Sequence, residues 1–255
     1  MLYDTVISYC TIDDMFIREN IRQCLHFSKD IYIIASSHFF DGTPEDETKI
    51  QSLKEFCKQF PNVHLIRFKW EEGQTPRHWH NYARWIGIQQ CDTEYIMFMD
   101  ADEIIEGENF NKAHTPDVDF FKRYDSYSFD CYWYFREPRF RAKSLEQYHR
   151  LIRRSALTKD LIFSEHERGA VGMSGKYASL FNVQYNKRPI VHHFSWVRTK
   201  EQMLMKTSSW GHKDDKNWKE LIEEEFSRPF NGTDFVWGYE YDVVEPPFEF
   251  KDYLG

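Results

Sequence analysis

Asp100, Asp102 and Glu103 set three carboxylates in four positions directly behind the aromatic and apolar run Tyr95–Met99. Two aspartates at i and i+2 leaving a strand carry side chains that a turn can converge on one point. Such hard oxygen donors suit Mg2+ or Mn2+, which in turn bridges phosphate oxygens. The alternative is a solvated acidic turn that caps the next element. Other candidate groups are sparser. His78 and His80 have metal-like spacing but no third soft ligand nearby, and at helical spacing their imidazoles point apart, so they do not read as a zinc site. His192 and His193 lie in an aromatic strand, which sends one ring to each face, so at most one enters a site. The segment FREPRFRAK (135–143) carries four basic side chains among aromatics. It reads as a solvated basic loop, or as one that gates a substrate or holds an anionic one.

The elements that must position these groups follow from periodicity. TVISYC (5–10), DIYIIASS (30–37), VHLIRFKW (63–70) and EYIMFMD (94–100) are β-rich runs. Between them lie helical patterns over 13–28, 47–60 (stopped by Pro61) and 77–91. Strand–helix alternation of this kind means parallel βαβ units with helices on both faces. In such sheets ligands sit beyond the carboxyl ends of the strands, which is where Asp100 and Asp102 fall. The second half differs: strands are expected over 124–137, 146–155 and 188–196, a loop over 164–177, mostly helix over 199–226, and then an acidic, extended tail. A soft division falls near residue 106.

The chain has 255 residues, 41% hydrophobic and 18% aromatic, enough for a large ordered core. Its 22 Phe, 15 Tyr and 8 Trp exceed what one core needs, so the rings either make that core unusually aromatic or line a binding surface. A net charge of -8 disfavours broad binding to nucleic acid. Five scattered cysteines without a CxxC pair read as reduced thiols of a cytoplasmic protein. No signal peptide is expected at MLYDTVISYC, no window approaches a membrane span, and the sequon at Asn231 reads as an ordinary loop.

Several segments, in order, resemble family 2 glycosyltransferases of the GT-A fold. FFDGT (39–43) is similar to the STDGT turn, ARWIGI (83–88) to the ARNxGI helix, and EYIMFMDADEII (94–105) to the EYIxFLDADD segment that carries the DXD motif. HRLIRRS (149–155), EHE (165–167) and HHFSWVRTKEQMLMK (192–206) resemble downstream segments of bacterial and viral members. The resemblance implies an α/β, Rossmann-like domain over 1–255, with a mostly parallel central sheet flanked by helices. Residues 1–106 would form the nucleotide-sugar-binding half, and 107–255 an α+β acceptor-binding half.

It also implies a metal-dependent, inverting transfer from a nucleotide-diphosphate sugar to a glycan or glycoconjugate acceptor, with Mn2+ or Mg2+ held by the DXD carboxylates. Asp102 is the expected metal ligand. Asp100 would join it, or contact the ion's water shell or the donor's ribose and sugar. Glu103 either supports them or is solvated. The base is expected at Glu167, because EHE matches the family's HE-type loop, with Glu165 as its substitute and His166 shaping the loop. Each is otherwise a surface carboxylate. His193 aligns with a histidine that reaches the metal or diphosphate; a satisfied core histidine is the alternative. Arg198 and Lys206 would reach phosphate oxygens, Arg84 would face the nucleotide, and Asp41 and Ser37 would contact the donor.

Two positions depart from the pattern. Ser36-Ser37 stand where members carry an acidic pair that reads the nucleotide base, and Trp85 replaces the Asn of ARN. Donor identity is therefore open. A nucleotidyltransferase would need a Gly-rich phosphate loop and a lysine near the N-terminus, and SYCTIDD (8–14) has no glycine. A sugar-nucleotide-binding module without turnover would not need the intact DADE and EHE segments.

Overall fold

The computed structural model describes residues 3–114, 124–163, 177–178, 184–209, 213 and 215–250. Four parallel strands form one half of the sheet: β1 (Tyr3–Tyr9), β2 (Ser28–Ser36), β3 (Val63–Phe68) and β4 (Tyr95–Asp100). The helices α1 (Asp14–Cys24), α2 (Glu47–Cys57) and α3 (Pro76–Ile88) connect them. Alternation along each strand feeds two cores. Ile7, Ile33 and Met97 face α1 and α2, whereas Val6, Ile34, Ile96 and Phe98 face α3. Two helix starts are written locally. The Asp46 carboxylate accepts from the amides of Thr48 and Lys49, and the Thr75 hydroxyl accepts from that of His78, with Pro76 in the first turn. Gly87 lets α3 lie close on β1, because an added β-carbon there would stand 2.8 Å from Val6 Cγ2.

The sheet continues through β5 (Glu103–Ile105), β6 (Ser126–Phe135), β7 (Glu137–Arg153) and, beyond α4 (Gly107–His114), α5 (Lys159–Ile162) and the two-residue strands β8 (Tyr177–Ala178), β9 (Gln184–Tyr185) and β10 (Arg188–Pro189), through β11 (Val191–Trp196). Its order is β3-β2-β1-β4-β7-β6-β11-β5. β7 is antiparallel to both β4 and β6, and β11 is parallel to β6. The single sheet therefore crosses the division near residue 106. Helices α6 (Lys200–Ser209) and α7 (Trp218–Phe226) pack on the β6–β7–β11 side around Trp133, Trp196, Met203 and Ile222, and β12 (Tyr241–Val243) pairs with β7.

Two boundaries differ from expectation. The first helix ends at Cys24, not near residue 28, because Phe27 turns into the core and the strand already begins at Ser28. FREPRFRAK is not a loop. It runs from Phe135 at the end of β6 through a turn at Arg136, whose φ is 57°, into the start of the 17-residue strand β7. Its basic side chains are spread over the turn and the strand: Arg136 pairs with Glu225, Arg139 with Glu137 and Lys143 with Glu240. No helix among the described residues is long and apolar enough to cross a membrane.

Candidate active site

β1 leads outward to β2 and β3 on one side, and the chain then returns to lay β4 on the other. The carboxyl ends of β1 and β4 thus border the switch in strand order, where an open α/β sheet leaves a crevice. A cavity of about 350 Å3 lies there, lined by Tyr9 at the end of β1 and Cys10 just past it, Ser36 at the end of β2, and Asp100 at the end of β4 with Asp102 just past it.

The carboxylate turn is held by backbone contacts from several elements. Asn20 of α1 donates its side-chain amide to the carbonyls of Asp100 (3.1 Å), Ala101 (3.2 Å) and Glu103 (2.7 Å). Ala101 N–H donates to Ser8 of β1, and Phe194 N–H of β11 to the Asp102 carbonyl. Glu103 is fully buried; it accepts the Asp100 amide at 2.9 Å and pairs with the equally buried Arg150 of β7. Glu103 is a brace, and the solvated alternative is excluded.

The two aspartates point to different partners. Asp100 Oδ1 accepts from Arg84 Nη2 at 3.3 Å and lies 3.3 Å from His80 Nε2, both on α3 one turn apart. Asp102 is 4% exposed, and its Oδ2 accepts from Arg198 (3.0 Å) and Lys206 (3.4 Å), while His193 Nε2 stands 3.7 Å from Oδ1. Arg198 is fully buried and committed to the protein: it also donates to the carbonyls of Ser195 and Ile12 and to the Asp13 carboxylate. Its fork holds Asp102 and Asp13 in place, and it also lines the cavity. Lys206 also donates to the Ser195 carbonyl and hydroxyl, and burial followed by the nearby Arg198 charge lowers its pKa. Burial also works against charge on His193, but the adjacent Cys131 and Glu146 and the carboxylates of Asp102 and Glu103 outweigh it, raising its pKa to about 10.

Of the other expected residues, Arg84 is buried behind Asp100. Ser37 and Asp41 do not line the cavity. The Ser37 hydroxyl is shared between His38 and the Trp70 amide, and Asp41 is exposed, its Oδ1 accepting the Thr43 amide of its own turn. Glu165, His166 and Glu167 lie outside the described residues. His192 faces away from His193, toward Tyr134 and Glu106. Sequence reasoning missed His80, Asp13 and Glu45. For His80 the signal was present, since His80 and Arg84 share one face of the helix that precedes the carboxylate strand. His78 packs instead against Trp79, Tyr82 and Phe163.

Glu45 lines the cavity yet is 4% exposed, with Oε2 accepting the Thr11 amide (2.8 Å) and hydroxyl (2.5 Å). Burial raises its pKa from 4.5 to about 7. A carboxyl raised on folding contributes stability below its unfolded pKa and loses it as pH climbs through the folded one. Glu45→Gln is therefore expected to gain on the wild type between pH 5 and 8, by up to ~3 kcal/mol. Urea midpoints at both pH values check this, and a difference independent of pH would refute it.

Two donor sets meet at His193. On one side Asp102 sets a hard oxygen 3.7 Å from the imidazole, a donor type that suits Mn2+ or Mg2+, while the Asp100 carboxylate is turned toward His80 and Arg84. Asp102 Oδ1 accepts no hydrogen bond among the described residues, leaving a donor for an ion. On the other side, Cys131 and Glu146 bring ligand atoms within 4.8 Å of each other and of His193, a softer set. An ion taken by His193 needs a deprotonated ring nitrogen.

Fold and cavity define an α/β protein with paired carboxylates at the strand ends of a ligand crevice. The Glycosyl transferase family 2 model matches residues 16–198, and the chain belongs to that family. The central sheet and flanking helices are those of the expected GT-A fold. No curated protein matches. Among solved structures, S. aureus TarS 1–349 is similar at 14% identity and a TM-score of 0.48, over 89% of this chain and 73% of that one. The mannosyltransferase PcManGT from Pyrobaculum calidifontis, in complex with GDP-Man and Mn2+, shows 10% identity and a TM-score of 0.49, over 80% of this chain and 59% of that one. A 4-diphosphocytidyl-2C-methyl-D-erythritol synthase shows 12% identity and 0.46, over 80% and 96%.

Proposed function

We propose that this chain is a metal-dependent, inverting glycosyltransferase moving a sugar from a nucleotide-diphosphate donor to a hydroxyl of a glycan or glycoconjugate acceptor. The observation that carries this is the convergence of Asp100, Asp102, His193 and Lys206 on one cavity at the strand switch of a family 2 glycosyltransferase. Asp102, Asp100 and His193 would hold Mn2+ or Mg2+, which when bound offsets the charge of the diphosphate leaving group. Lys206, partly exposed where Arg198 is wholly buried, is the cation placed to reach a phosphate oxygen by exchanging one of its present acceptors. Arg198 fixes Asp102, and Arg84 with His80 fixes Asp100. Glu167, or Glu165 in its place, takes the proton from the acceptor hydroxyl. The cytoplasmic assignment rests on five cysteines that are all free.

Calorimetric titration with UDP, GDP, CDP and dTDP, each with and without Mn2+ or Mg2+, tests the reading. One nucleotide is expected to bind only when the cation is present. If none binds with either cation, the carboxylate turn is structural and the transferase assignment falls.

A further inference from the structure

We propose that Trp237 is the stacking platform of an acceptor subsite that receives a pyranose ring; the inference rests on the glycosyl-transfer reading above. Trp237 is 58% exposed, yet it lines the same cavity as Asp102 and His193. An indole serving only as a packing anchor would be buried. This one is held out of the core by a loop whose backbone is unusually well fixed.

The fixing group is Asp234, 4% exposed. Its Oδ1 accepts the amides of Val236 (2.7 Å), Trp237 (2.6 Å) and Gly238 (3.1 Å). Its Oδ2 accepts the Tyr239 amide (3.1 Å) and the Tyr241 hydroxyl (2.8 Å). Gly238, directly after the indole, has φ +74°, a backbone state that favours glycine. Lys216 donates to the carbonyls of Phe235 and Val236, and its ammonium stands 6.0 Å from the Trp237 ring. Val236 itself is buried beside Trp133 and Trp196. The residue before the indole is thus in the core, the residue after it is a fixed turn, and the ring faces outward. A platform ordered before binding loses little entropy when a ligand arrives.

Its place in the fold says which substrate it meets. The loop runs into β12, which pairs with β7, on the far side of β4 from the β1 and β2 ends. Two more rings, Trp133 and Tyr148, line the same cavity next to His193. Trp133 and Tyr148 meet His193 edge to face, with centroids at 4.7 and 6.0 Å. A pyranose offers a C–H face to a flat ring and hydroxyls at its edge, so an exposed indole at a polar cleft matches its chemistry.

Saturation-transfer NMR with methyl α-D-glucopyranoside, mannopyranoside and galactopyranoside, with parallel calorimetry of the nucleotide and Mn2+, tests the inference. In the wild type, at least one pyranoside is expected to show saturation concentrated on the ring protons of one face. Trp237→Ala should weaken that binding at least ~10-fold while nucleotide affinity stays within twofold, and Trp237→Phe should retain part of it. Since the ring is exposed, both variants should keep the wild-type thermal midpoint. Equal pyranoside binding in Trp237→Ala, or none in the wild type, overturns the inference. So does a variant that changes only the oligomeric state in light scattering, which makes the indole a contact between copies. Failure of nucleotide binding in the wild type instead removes the transferase reading, and the pyranoside signal is read separately.

Discussion

Asp102→Asn is expected to abolish cation-dependent nucleotide binding and to lower kcat/KM for transfer by ~10^3-fold, equivalent to ~4 kcal/mol. The amide keeps the size of the side chain and one acceptor oxygen, so the loss isolates the charge. That charge has a second task. Asp102 neutralises Lys206 and shares Arg198 with Asp13, and all of these groups are largely buried. Breaking a buried pair by removing one partner costs ~3–5 kcal/mol, and the remaining Asp13 keeps the cost toward the lower end. The variant should therefore be both inactive and less stable. Adding Lys206→Met separates the two effects, because the unmatched ammonium is gone: stability should recover by ~2 kcal/mol while nucleotide binding stays lost. Urea denaturation and calorimetry on the single and double variants decide the matter. Retained cation-dependent binding in Asp102→Asn would show that the carboxylate does not serve the ion.

The second large effect concerns folding. Glu103 and Arg150 are both wholly inaccessible to solvent and lie on β5 and β7, which are not neighbours in the sheet. Glu103→Gln keeps an acceptor for the Asp100 amide but leaves the guanidinium without its counter-charge. A loss of ~3–5 kcal/mol is expected, or a fall of about 10 °C in Tm for a chain of this size. Glu103→Leu with Arg150→Met removes both charges and should recover most of that stability. Activity should stay low in the double variant, since the Asp100 amide has lost its acceptor and the turn its brace. A loss below ~1 kcal/mol in Glu103→Gln would mean that the surrounding hydrogen bonds alone hold the turn.

Much of the parallel half was legible in the chain. Strand and helix periodicities, the cap at Asp46 and Pro76 after Thr75 are local signals, and local signals report which face of an element is buried. The same logic located Asp100 and Asp102 at a strand end and divided His192 from His193. It did not say what each charge would meet. Arg198 reads as an available phosphate ligand until Asp13, 185 positions away, and Ile12 take its donors. His80 reads as half of a weak metal pair until α3 lays it on Asp100. FREPRFRAK reads as a basic loop until β7 is inserted between β4 and β6, so that Tyr95 pairs with Arg153 and Cys131 with Glu146.

The common cause is physical. Burial face is decided by a period of two or 3.6 residues, which a short window contains. The protonation and pairing of a buried side chain are decided by groups brought together from distant parts of the chain, through desolvation and charge that act over a few ångströms of space. The order of residues was enough to place an acidic pair at the mouth of a parallel sheet in a family 2 glycosyltransferase. Tertiary packing assigned Arg198 to bracing, left Lys206 beside Asp102, and carried Trp237 from the far end of the chain to the rim of the same cleft.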